Sequence, residues 1–336
     1  MEKTANASRY EEQPSRIYEI CRQFGIVVPN NRTAVLEQAR ACLVTVFKKI
    51  LLPASEQYMI WPMIKSIASD LEGIIAADAT VLKILHRYRV GEEKLVWHSI
   101  YTAILAMDLA ENEENLSCSV YEIGGAALLH DAGFLIKTTN GFDTNGFDNI
   151  TRQKSPEFRE HVGKGIELAR RIEAPDAVVT MIAQHQGRLD GRGFPKDLSP
   201  SKFERCSQIL AIADVFEHIM IDLSMEKKEA VPKDATGDTG KNGIANVFRE
   251  YRQAFDIDLL KKMIALIGFY PVGSIVELNN RAICEVVKQN CDFPIRPVVK
   301  VILNGGGNHP KADQLIDLQQ VKILSILRNI ARPKTT

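Results

Sequence analysis

Seven histidines stand among the 336 residues, and four of them form an ordered series with two aspartates: His98, His130-Asp131, His161, His185 and Asp214. Each lies in or beside a segment of helical apolar spacing, and successive gaps are about one helix plus one loop. His98 is expected to open a helix. His130-Asp131 should close another after the apolar run Ala126 to Leu129, and His161 should lie early in the next. His185 follows Met181-Ile182-Ala183-Gln184, and Asp214 interrupts the run Ile209 to Ala213. Adjacent His and Asp side chains at a helix end project roughly 100° apart, so both can face one cleft and the carboxylate can bridge two cations. Asp214, flanked by Ala213 and Val215, needs a cation or a hydrogen-bonding partner, because an unpaired buried carboxylate is costly. The chemistry this set suits is divalent-metal binding, one ion or two: iron, manganese, zinc or magnesium rather than calcium. A lone helical histidine is more often a core or surface group. His86, His218 and His309, which have no such company, are read that way.

The elements that must position these groups are mostly helical. Apolar residues recur at helical spacing from about 32 to 90, with Pro53 interrupting the pattern and a second stretch running from Trp61 to Arg89. The middle of the chain reads as helices at about His98 to Leu109, Tyr121 to His130, Glu157 to Ile172, Pro175 to Gln184 and Phe203 to Met220. A loop rich in Asn and Gly (Thr138 to Asn149) and a charged, Gly-rich stretch (Met225 to Asn242) separate some of them. One more helix is expected over Ile244 to Ile267. After Pro271 the period becomes strand-like, over Ser274 to Leu278, Ala282 to Val287 and Arg296 to Leu303, and a last segment from Leu315 to Ile330 closes a small meander. The expected fold is an all-α bundle with a small C-terminal β-rich module.

Composition narrows the function classes. Lys+Arg and Asp+Glu are equal at 42 each, so no overall field draws the protein onto a nucleic acid polymer or an anionic membrane. The six cysteines show no Cys-x-x-Cys pair and read as buried small hydrophobes in a reducing compartment. The polar amino terminus lacks a signal peptide's apolar run, and every candidate span is broken by charge or proline, so a cytoplasmic protein is expected.

His98, His130-Asp131 and Asp214 resemble the ligand signature of the HD phosphohydrolase superfamily. The segment His185 to Pro195, His-Gln-Gly-Arg-Leu-Asp-Gly-Arg-Gly-Phe-Pro, resembles the HHExxDGxGYP signature of its HD-GYP branch, the cyclic di-GMP phosphodiesterases. The likeness spans roughly residues 80 to 325. It implies an N-terminal helical region (1–85), an HD-GYP-like phosphohydrolase domain (86–270) and the β-rich module (271–336). By this likeness His98, His130, Asp131 and Asp214 hold a first metal, and Asp131 bridges to a second metal supported by His161 and His185. His130 and Asp131 would then serve catalysis, with water as the nucleophile.

The chain also departs from that pattern. The family's second consecutive histidine is Gln186 and its following glutamate is Gly187. An amide oxygen is a poorer ligand than imidazole, so Gln186 is expected to bind a second ion weakly or to support its neighbours. Phe134 replaces the lysine after His-Asp-x-Gly, Leu223 and Glu226 stand where an arginine and a lysine are expected, and Phe194 replaces the GYP tyrosine. Arg188, Asp190 and Arg192 remain to contact substrate or shape the loop. The leading expectation is a metal-dependent phosphodiesterase acting on a cyclic dinucleotide or related nucleotide phosphoester. The alternative is a catalytically impaired signalling or scaffold protein that senses a nucleotide or docks a partner at the Gly191 to Pro195 loop. The amino-terminal helices would cap the next domain, make a homodimer or receive a signal.

Overall fold

The computed structural model describes residues 32–77, 93–136, 156–196, 198–224, 251–270, 272–290, 293 and 295–330. The polar amino terminus, His86, the Asn- and Gly-rich loop and the charged stretch after Ser224 lie outside the described residues. The chain divides into two units, 1–214 and 215–336.

The first unit is helical. Helix α1 (Arg32–Ile50) ends ahead of Pro53, as its sequence requires, and a single 3-10 turn at Ala54–Glu56 leads to α2 (Ile60–Ala77), which folds back on α1. The buried Gln57 amide donates to Ile50 O (2.9 Å) and Leu52 O (2.8 Å), satisfying carbonyls left open where α1 ends. Helix α3 (Lys94–Ala110) is buried along every residue from Leu95 onward, the pattern of a helix enclosed by others. It starts one turn before His98 because Leu95, Val96 and Trp97 extend its apolar surface, so His98 does not open the helix as expected.

Helix α4 (Val120–Leu129) is the hub: it packs against α2, α3 and α7 (Asp176–Gln184), and Ile123 to Leu129 are all buried. Its start is fixed by Glu122, whose carboxylate accepts from the Ser119 N–H (2.8 Å) and hydroxyl (2.7 Å). A short helix α5 (Gly133–Ile136) follows and packs on α6 (Pro156–Arg171), which in turn packs on α7. Helix α8 (Arg205–Ser224) begins after a 3-10 turn at Pro200–Lys202.

In the second unit the long helix expected from Ile244 is interrupted. Asp256 accepts hydrogen bonds from the Asp258 and Leu259 N–H groups (3.0 and 3.1 Å) and caps a separate helix, α9 (Ile257–Ile267), because an Asp side chain satisfies backbone donors better at an N-cap than inside a helix. Strands β1 (Ile275–Leu278), β2 (Ile283–Lys288), β3 (Val298–Leu303), β4 (Leu315–Asp317) and β5 (Ile326–Asn329) form an antiparallel sheet in the order β4-β3-β2-β1-β5. Four strands make the expected meander. The closing segment splits in two, and β5 returns to pair with β1, so both edges of the sheet come from one stretch of sequence. Val276, Leu278, Cys284, Val286, Val299, Val301 and Leu318 form its core, with every second residue of β2 and β3 buried. No helix among the described residues is long and apolar enough to cross a membrane.

The cysteine reading needs correction. Cys42 and Cys284 are buried as expected, but Cys118 and Cys206 form a disulfide, with Cα atoms 6.9 Å apart across a sequence separation of 88 residues. No local spacing could reveal it, because the pair is assembled by helix packing: Cys118 precedes α4 and Cys206 lies in the first turn of α8. Glu113 and Arg205 form an ion pair at 2.7 Å, each within a few residues of one of the two cysteines. Non-reducing peptide mapping should recover the Cys118–Cys206 link. Reduction or Cys206→Ser should lower unfolding stability by about 2–4 kcal/mol, seen as a lower urea midpoint; coincident oxidised and reduced transitions would show that the link adds nothing.

Candidate metal centre

The six side chains of the series come together in the first unit. His98 projects from the second turn of α3, His130 caps the C-terminus of α4 with Asp131 beside it, His161 sits in α6, His185 caps the C-terminus of α7, and Asp214 lies in α8. All six are buried, none more than 4% exposed.

Asp131 stands between two imidazole pairs. Its Oδ2 lies 3.4 Å from His98 Nε2 and 3.3 Å from His130 Nε2, while its Oδ1 lies 3.2 Å from His161 Nε2 and 3.6 Å from His185 Nε2. The imidazoles of each pair also face one another, at 3.0 Å for His98 and His130 and 3.2 Å for His161 and His185. Asp214 Oδ1 closes the first cluster, 3.4 Å from His98 Nε2 and 3.7 Å from His130 Nε2.

Three of the imidazoles are oriented by the same local device. His130 Nδ1 meets Ala127 O (2.7 Å), His185 Nδ1 meets Ile182 O (2.7 Å) and His161 Nδ1 meets Phe158 O. In each case the acceptor is the carbonyl three residues earlier, which a histidine at a helix end or on a helix can reach. A carbonyl accepts only, so it selects the tautomer protonated at Nδ1 and aims the Nε2 lone pair into the centre. Asp131 Oδ1 is buried and accepts no hydrogen bond among the described residues. Converging lone pairs and carboxylate oxygens repel unless positive charge lies between them, so the donor set fits one or two divalent cations.

The electrostatics agree. Burial opposes charge on His130, yet the Asp131 and Asp214 carboxylates overcome it and lift the imidazole to about 9. Burial likewise opposes charge on Asp131, but neighbouring His130 holds its carboxyl well below the usual range. Burial pushes His185 down, which keeps it neutral and able to ligate.

The loop residues singled out in the sequence make contacts of their own beside His185 and Asp214. Gln186 Nε2 donates to Asp214 Oδ2 at 3.5 Å. Arg188 donates to Gly187 O (2.6 Å) and His185 O (3.3 Å), tying down the backbone at His185. Asp190 accepts from the Arg192 backbone (2.9 Å) and guanidinium (2.7 Å), folding the loop on itself and leaving the Arg192 side chain 64% exposed. Gly193 passes so close to the Gln186 and Arg188 backbone that a Cβ there would sit 2.4 Å from Gln186 O. His309 lies on an exposed turn against Ile302 O (3.0 Å) and His218 beside Glu217 (3.9 Å), in the second unit. Two features escaped sequence reading. Phe134 stacks on His161, and Gly133 lets α5 touch α6, since a Cβ there would fall 1.9 Å from His161 O. The Gly-Phe pair directly after His-Asp-Ala was the available signal.

Residues 75–239 match the family model of the HD domain, and residues 275–335 match that of the KOW domain associated with HD domain. The middle of the chain is therefore an HD domain. Over 263 residues it is 27% identical to a cyclic di-GMP phosphodiesterase of Pseudomonas aeruginosa, covering 75% of this chain and 59% of that protein. Over 217 residues it is 24% identical to the cyclic di-GMP phosphodiesterase PdeB of Borreliella burgdorferi, covering 65% of this chain and 54% of that one. The chain thus spans little more than half the length of these curated relatives. An HDG"Y"P protein from Bdellovibrio bacteriovorus is similar in fold, with a TM-score of 0.51 at 16% identity over 68% of this chain and 69% of that one.

Because His130 is protonated up to about 9, a cation entering its cluster must displace that proton. The folded-state value is raised, so the competing proton is held through neutral pH and lost as pH climbs through about 9. Apparent metal affinity should therefore rise between pH 6.5 and 9, with proton release at pH 7. Calorimetric titration in two buffers of different ionisation enthalpy measures both, and a pH-independent affinity would contradict the assignment.

Proposed function

We propose that this HD domain is a divalent-metal-dependent phosphodiesterase that hydrolyses a cyclic dinucleotide of the cyclic di-GMP kind with water as the nucleophile. The observation that carries the reading is the division of Asp131 between two imidazole pairs, one on each carboxylate oxygen. Two relatives named as cyclic di-GMP phosphodiesterases support the substrate class. His98, His130, Asp131 and Asp214 would hold one ion, and Asp131, His161 and His185 a second. Four imidazoles favour iron, manganese or zinc over magnesium. Such ions, when bound, supply Lewis acidity toward water and toward the phosphoryl oxygens.

The chain's own residues supply geometry. The Nδ1 bonds to Ala127, Phe158 and Ile182 keep three imidazoles from turning, so no reorganisation is needed when charge develops. Gln186 steadies Asp214 through its amide, and Arg188 holds the carbonyl of His185. Arg192, paired with Asp190 yet largely exposed, offers a cation at the loop to a substrate phosphate or a protein partner. A cytoplasmic location and self-association through the amino-terminal helices belong to the same proposal; light scattering on the chain with and without residues 1–80 tests the second.

Two observations favour a second reading, a signalling or scaffold protein that retains the pocket to sense a nucleotide. Gln186 directs its amide to Asp214, and Phe134 places a carbon ring where the resemblance expects a cation. The two readings separate in one experiment. Protein loaded with manganese or iron should linearise cyclic di-GMP or cyclic GMP-AMP, and His130→Ala or Asp131→Ala should lower the rate at least about 100-fold with helical circular dichroism retained. Loaded protein that leaves both dinucleotides and a simple phosphodiester intact sinks the hydrolase and leaves the sensor.

A further inference from the structure

The ring of Phe134 lies flat against the His161 imidazole, with centroids 4.1 Å apart and planes inclined by 13°. Phe158 meets the same imidazole edge-on at 4.9 Å and 67°, and the two phenyl rings touch at 5.4 Å. His161 is thus enclosed by aromatic contact, while its Nδ1 is held by Phe158 O. Phe134 is tied to the centre from the other side as well. Its N–H donates to Asp131 O at 3.0 Å, so the turn that carries Asp131 also carries the ring that sets His161. Gly133, between them, brings the backbone of α5 onto the His161 carbonyl.

We propose that Phe134 is a positioning residue that fixes His161 as a ligand of the second cation site, opposite Asp131 Oδ1; this rests on the two-site reading above. A lysine at this position would bring charge but no flat face. Phenylalanine brings a face that removes the torsional freedom of a side chain whose helix packs on α5 and α7. The first cluster, His98, His130, Asp131 Oδ2 and Asp214, has no such dependence, because none of its imidazoles is stacked on Phe134 among the described ring contacts.

The test is cobalt(II) titration of the full chain in chelator-buffered solution, following the ligand-field absorption of each step. Wild type should take up two ions. Phe134→Ala should bind the first with unchanged affinity and the second roughly 10–100-fold more weakly, with an altered second-step spectrum, and Phe134→Tyr should restore it. Phe134→Leu, which keeps bulk without a stacking face, should show the same selective loss and stands in if the alanine variant does not fold. Phe134→Ala or Phe134→Leu binding both ions as wild type does overturns the role of Phe134 alone. Parallel weakening of both steps also overturns it, because a general packing defect explains that result. Uptake of a single ion by the wild-type chain overturns the two-site reading and this inference with it.

Discussion

The structure depends on one carboxylate shared between two pairs of imidazoles. Buried in a helical core, Asp131 cannot rely on water, and the nitrogens facing it cannot all be hydrogen-bond donors, because three of them give their Nδ1 protons to backbone carbonyls. Such an arrangement is unstable without positive charge at its middle. A proton on His130 answers part of that demand, and the proposed divalent ions would answer the rest.

The helices can be understood as the frame for this contact. Helix α4 is small, apolar and enclosed on three sides, which lets it carry a charged pair to the interior at its C-terminus. The ends of α4 and α7 are where imidazoles can turn back to a carbonyl three residues earlier and still face inward. The Cys118–Cys206 link joins the approach to α4 to the first turn of α8, so a covalent tie connects the elements that deliver Asp131 and Asp214.

The departures from the HD-GYP pattern also acquire physical meaning. Gln186 does not sit idle in place of a histidine: its amide contacts Asp214. Phe134 stands in place of a cation and lays an aromatic face on His161. Relative to the pattern, one change gives up an imidazole and the other a cation, and each gains a contact inside the protein instead.

Much was legible in the chain itself. Apolar periodicity located α3, α4, α6, α7 and α8 to within a few residues but missed the short α5 and the late start of α9, and the joint order of His98, His130-Asp131, His161, His185 and Asp214 marked the centre, since few buried settings accept so many polar groups. Those properties are local, set by spacing of three to four residues along a helix or two along a strand. Three other features were decided by packing: the disulfide between Cys118 and Cys206, the return of β5 to β1, and the stacking of Phe134 on His161. Each joins residues whose separation carries no period or has several helical readings. Which oxygen of Asp131 meets which imidazole is likewise invisible in one dimension, because it is fixed by how α3, α4, α6 and α7 are brought together, and only the folded chain determines that.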